Sequence, residues 1–133
     1  MDVRLTRYHR RMTMTALFGE SMSATQATPA ASLFRSLSDP ARLTILRHLQ
    51  WGEHRVRDLT EHLGLAQSTV SAHLTCLKDC GLVVSRPQGR ASIFSLAVPD
   101  ELLQLLSAAE RLLEATGYAV DLCPIHGSKP TSL

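Results

Sequence analysis

The sequence predicts a mainly α fold closed by a small β-hairpin. Three observations carry that prediction. Between residues 30 and 80, short apolar-periodic segments are separated by Pro and Gly. Two alternating stretches follow, joined by Pro87-Gln88-Gly89-Arg90. A leucine-rich segment from Asp100 to Thr116 then has the period of a long helix. At 133 residues with 44% apolar content, the chain is sized for one domain with a real core.

The elements follow in order. Residues 1–28 have no sustained period, and Ser, Thr, Ala and Met dominate from Thr13 to Thr28, as in a disordered tail. Ala30 to Leu37 reads as a short helix with Leu33, Phe34 and Leu37 on one face. Asp39 is then an N-cap and Pro40 an N1 residue, opening a helix that carries Leu43, Ile45, Leu46 and Leu49 and stops at Trp51-Gly52. Val56, Leu59 and Leu63 mark a third helix closed by Gly64, with Leu65 covering the corner before the next helix. Two short helices joined by a tight Gly-containing turn make a helix-turn-helix, whose second helix enters a DNA groove. Leu82 to Arg86 and Ala91 to Leu96 read as a two-stranded wing.

The helix from Gln67 to Cys80 organises the rest. Val70, Leu74 and Leu77 form its apolar stripe. Gln67, Ser68, Thr69 and Ser71, with His73, supply short hydrogen-bonding groups suited to base edges and phosphates. Arg86 and Arg90 flank the hairpin tip, where they suit phosphate or minor-groove contact. Ala66 stands where a Ser or Thr cap is expected, and Ser68 takes that role if the helix starts later. Beside the apolar stripe, Thr69, His73, Cys76 and Cys80 are spaced i, i+4, i+7, i+11, nearly in line. The helix therefore carries a DNA-suited surface and two thiols one turn apart, and thiol chemistry on such a helix is placed to control the surface. The last helix has Leu102, Leu103, Leu105, Leu106, Ala109, Leu112 and Leu113, a broader apolar face than one small core needs. A homodimer through terminal helices accounts for the surplus.

Charge adds little. The formal net charge is +2. Arg4, Arg7, Arg10 and Arg11 account for the excess, so DNA binding by the rest depends on where charge sits rather than on its total. These four arginines are a DNA-contacting arm, a solvated tail, or leader residues that are not translated if the true start is Met12, Met14 or Met22. No apolar run approaches the ~18 residues of a membrane span, and no signal-peptide core is present, so the expected location is cytoplasmic. Three cysteines in a reducing compartment argue against a disulfide framework. No Ser-His-Asp set, HExxH, phosphate loop or dinucleotide fingerprint appears, so no enzyme activity is expected.

Four phrases carry a family likeness: L-S-D-P-A-R-L-T-I-L-R-H-L, E-H-L-G-L-A-Q-S-T-V-S-A-H-L, L-K-D-C-G-L-V and G-R-A-S-I-F-S-L. Over residues 30–116 the chain resembles the ArsR/SmtB family of winged-helix metal-sensing repressors. The resemblance implies a homodimer that binds double-stranded operator DNA and releases it when metal binds. It also implies a division into residues 1–28 as tail, 29–117 as winged helix-turn-helix and dimerisation domain, and 118–133 as metal-binding tail. Two of the family's metal sites lack their ligands here. Arg55-Val56-Arg57 replaces the Cys-x-Cys pair of one, and Asp100 to Thr116 has no His for the other. The phrase H-L-T-C-L-K-D-C-G-L-V is similar to the CmtR-type cadmium and lead sensors of the family. Those complete two recognition-helix cysteines with one from the C-terminal tail. The resemblance thus implies Cys76, Cys80 and Cys123 as ligands of Cd(II) or Pb(II), with Zn(II) also accommodated. Soft thiolates favour such ions. His73 and His126 are weaker candidates for a fourth ligand. The competing reading is a thiol redox switch, in which a tail-to-helix disulfide is easier than one within the i, i+4 pair.

Overall fold

The computed structural model describes residues 24–122. The chain divides at Ser32–Leu33 into two units, and every contact given below lies within the second. Cys123, His126 and the four N-terminal arginines lie outside the described residues.

Among the described residues are five helices and a three-stranded antiparallel sheet: α1 (Ala24–Leu37), α2 (Pro40–Leu49), β1 (His54–Arg55), α3 (Val56–Leu63), α4 (Gln67–Asp79), β2 (Val83–Gln88), β3 (Ala91–Leu96) and α5 (Pro99–Ala115). Helix α1 begins before Ala30, the start read from periodicity. Its first turns are Ala- and Thr-rich and carry Pro29, so they lack an apolar period to read.

Local chemistry fixes the helix boundaries. Asp39 caps α2: its Oδ1 accepts from the Ala41 and Arg42 backbone N–H groups at 2.8 and 3.1 Å, satisfying two first-turn donors. These bonds, that to Arg42 above all, hold the Asp39 carboxyl below the usual range. At the start of α3, the Arg55 N–H donates to Asp58 Oδ2 at 3.2 Å. Gly64 ends α3 in the left-handed region, with φ 65°. A side chain is strained there, so Gly is the residue that lets the chain turn into α4.

The sheet order is β1-β3-β2. The sequence predicted two strands, and β1 is the addition. It is two residues long and pairs His54 with Phe94 and Arg55 with Ile93. So short a strand has no period of its own and exists through its partner. Strand β3 spans the residues read for it, while β2 starts one residue later than read and runs on to Gln88, which pairs with Ala91 and leaves a two-residue turn. Gly89 takes φ 61° at its first position, as a type II′ hairpin requires. Pro87 pairs with Ser92 on β2, an edge strand, where a missing N–H is tolerated.

The core joins Ile45, Leu46 and Leu49 of α2, Leu59 of α3, Val70, Leu74 and Leu77 of α4, and Leu102 and Leu106 of α5, with Leu82 and Val83 entering the wing. Leu65 covers the α3–α4 corner as expected. Helix α4 is thus fixed to the core through the Val70, Leu74 and Leu77 stripe, with Cys80 packed at its edge. Leu74 is 1% exposed, so Leu74→Ala is expected to lower the unfolding free energy by about 2–5 kcal/mol through lost burial and a residual cavity. Urea denaturation checks this.

Candidate DNA-reading helix and thiol site

Helix α4 has Ala66 at its N-cap and no side-chain capping bond. It starts at Gln67, so Ser68 lies inside the first turn and does not cap. The first-turn N–H groups are left open to an outside acceptor such as a phosphate. Gln67, Ser68 and Thr69 are exposed there, and Ser71 is half-buried.

His73 sits differently. Its side chain is 17% exposed and lies against α2. Nδ1 is 3.3 Å from an Arg42 guanidinium nitrogen, and Nε2 is 4.0 Å from Asp39 Oδ1. Arg42 also donates to the Ser36 carbonyl at 2.7 Å and to the Arg35 carbonyl at 3.0 Å. Arg42 therefore ties the end of α1, the start of α2 and the inner side of α4 into one polar joint.

On the wing, Arg90 is exposed at the turn. Arg86 makes a two-point ion pair with Glu53, at 2.7 and 3.3 Å. The pair lowers the Glu53 pKa and raises that of Arg86, mainly through the hydrogen bonds. Both side chains are about half exposed, so the pair is worth little to stability. It does align Arg86 and offset its charge. Lys78 on α4 donates to Ser85 of the wing at 2.9 Å.

Cys76 and Cys80 are half-buried thiols. Both sulfurs approach one hydroxyl: Ser36 Oγ of α1 lies 2.6 Å from Cys80 Sγ and 3.6 Å from Cys76 Sγ. Ser36 itself is 1% exposed. The i, i+4 spacing puts both thiols on the same side of α4, and packing against α1 turns them toward one point. Two convergent, partly accessible thiols are a donor set that a soft ion can use. Sequence reasoning did not find Ser36 or Arg42. A serine beside Leu37 on a helix carries no motif, and a helix arginine reads as solvated charge.

The approach to the third cysteine is partly visible. Leu122 packs against the core. Its N–H donates to Glu110 of α5 at 2.5 Å, and its carbonyl accepts from Gln50 at the end of α2 at 3.4 Å. The chain is therefore held just before Cys123.

Comparison with known proteins decides the family. Residues 39–85 match the bacterial regulatory proteins of the arsR family. The chain is 48% identical over 106 residues to the HTH-type transcriptional regulator CmtR of Mycobacterium tuberculosis, covering 69% of this chain and 88% of that protein. This chain belongs to the ArsR family. A second relative, the probable mercury resistance operon repressor of Streptomyces lividans, is 36% identical over 99 residues, covering 74% of this chain and 78% of that one. Among solved structures, the homodimeric winged helix-turn-helix DNA-binding domain Mb0332 of Mycobacterium bovis aligns with TM-score 0.63 and 28% identity, over 77% of this chain and 99% of that one. The winged helix-turn-helix expected from sequence is the fold observed. No helix among the described residues is long and apolar enough to cross a membrane.

Proposed function

We propose that this ArsR-family chain is a metal-responsive transcriptional repressor. It binds operator DNA as a homodimer and leaves it when Cys76 and Cys80 take up a soft divalent ion, Cd(II) or Pb(II). Cys123 supplies the third thiolate, and zinc is the weaker effector. The observation that carries this reading is the convergence of both sulfurs of the groove-reading helix on Ser36 of α1.

DNA recognition follows from the exposed start of α4. Gln67, Ser68, Thr69 and Ser71 reach base edges and phosphates from the major groove, while Arg86 and Arg90 hold the wing to the backbone. His73 braces α4 against Arg42.

The dimer rests on apolar surface that one protomer leaves open. Phe34 of α1 is 60% exposed and Leu112 of α5 67% exposed, though both stand on helices whose other faces are in the core. A second copy placed against α1 and α5 buries them.

Coupling between the two sites is short. Drawing both thiolates onto one ion removes the Cys80–Ser36 contact and leaves a buried hydroxyl to find another partner. Helix α4 then shifts against α1, the helix that carries the dimer surface. Two half-sites about 34 Å apart tolerate little rotation between protomers. Metal and DNA must weaken each other by the same factor.

Titration of the full chain with cadmium, followed by ultraviolet thiolate-to-metal absorption, tests the ligand set. The expected result is saturation at one ion per chain, with the absorption reduced in each of Cys76→Ser, Cys80→Ser and Cys123→Ser. Absorption indifferent to Cys76 and Cys80 would overturn the reading.

A further inference from the structure

Three histidines outside the thiol site meet where α2, β1 and α3 join. His48 of α2 is 7% exposed. His54 of β1 and His62 in the last turn of α3 are half-buried. One ring nitrogen from each lies within 4.8 Å of the others. The His48 and His62 rings stack, with centroids 4.8 Å apart and 17° between planes. His54 meets them edge-on at 6.1 and 5.7 Å.

One hydrogen bond fixes the chemistry of this group. His54 Nδ1 is 2.8 Å from the Gly52 carbonyl oxygen. A carbonyl only accepts, so Nδ1 carries the proton and the Nε2 lone pair is left facing away. Metal-binding histidines are oriented by this same kind of bond on the far nitrogen. We propose that His48, His54 and His62 form a second ion site, independent of the cysteines, that takes a borderline divalent ion of the zinc class.

The donor set selects that class. Imidazole suits zinc, nickel and copper, whereas the thiol site favours softer ions. Three protein nitrogens leave a fourth tetrahedral position for water. Zinc–nitrogen bonds of about 2.0–2.1 Å put ligand nitrogens roughly 3.4 Å apart, so the rings must close up by side-chain rotation. Burial makes His48 the fixed anchor, and the half-exposed His54 and His62 have room to turn. Burial first, then the charges of His62, His54 and Arg47, push the His48 pKa down. An ion held here ties the root of the wing to the first helix of the helix-turn-helix.

The test uses the full chain with Cys76, Cys80 and Cys123 all changed to serine, titrated with Zn(II) alone and followed by imidazole NMR. His48, His54 and His62 are expected to respond together and saturate at one ion per chain, while His73 stays unchanged. His54→Gln in the same background is expected to weaken binding by at least ~100-fold with unaltered far-ultraviolet circular dichroism. If that variant loses helix, His62→Gln is judged by the same criterion. No saturable uptake, saturation without these three resonances, or equal affinity in a folded His→Gln variant would show the trio to be an aromatic cluster only and overturn the proposal.

Discussion

Replacing Cys80 with serine is expected to leave operator affinity within about twofold and to abolish cadmium-driven release, removing a coupling of roughly 5–150-fold. The substitution changes one atom. A serine hydroxyl can still pair with Ser36 Oγ, which lies 2.6 Å from the thiol it replaces, so the α1–α4 joint survives. What is lost is the soft donor, because a neutral hydroxyl is a poor ligand for cadmium or lead. Cys76→Ser is expected to behave in the same way, with a smaller effect on packing, since its sulfur is 3.6 Å from that hydroxyl. Operator titrations with and without cadmium, all at one salt concentration, check both variants. Release that persists in Cys80→Ser would place the effector site elsewhere.

The second large effect belongs to the dimer. Leu112→Glu is expected to give a folded monomer whose operator affinity falls by at least about 100-fold. Leu112 is 67% exposed in the protomer, so a charge there costs the fold little. In a dimer the same carboxylate must be buried against apolar surface, which is costly without a partner. Loss of the second reading head then removes the gain from engaging two half-sites at once, commonly 10²–10⁴-fold. Sedimentation and operator titration of the same sample separate the two steps. A variant that remains dimeric would move the interface away from α5. Phe34→Glu probes the α1 side by the same reasoning.

Much of the fold is legible in the residues, for local reasons. Asp39-Pro40 announces α2, since the cap and the fixed φ of proline act within one turn. Gly64 marks the turn into α4, and Val70, Leu74 and Leu77 mark its buried stripe. What stays hidden is non-local. Strand β1 exists because β3 offers it partners at Phe94 and Ile93. Phe34 shares a predicted face with Leu33 and Leu37, yet those two pack on the core and Phe34 points out. The periodicity places all three on one side but does not say where the core ends.

The candidate sites divide along the same line. The alignment of Cys76 and Cys80 is legible from spacing, because one helix carries both, while their role as ligands is what the family resemblance implies. Ser36, the hydroxyl they share, comes from another helix 40 residues away in sequence from Cys76. The histidine trio draws on α2, β1 and α3 at irregular spacing, so no motif reports it. His73 looks like a groove-facing residue from its spacing. Its proximity to Arg42 and Asp39 is tertiary.

In the proposed mechanism, thiolates of the groove-reading helix hold the effector. Cadmium-edge X-ray absorption on the full chain with one equivalent of cadmium tests it most directly. The expected result is a coordination shell rich in sulfur, losing one sulfur in each of Cys76→Ser and Cys80→Ser. A shell of nitrogen and oxygen alone, or a sulfur count unchanged in those variants, would contradict it.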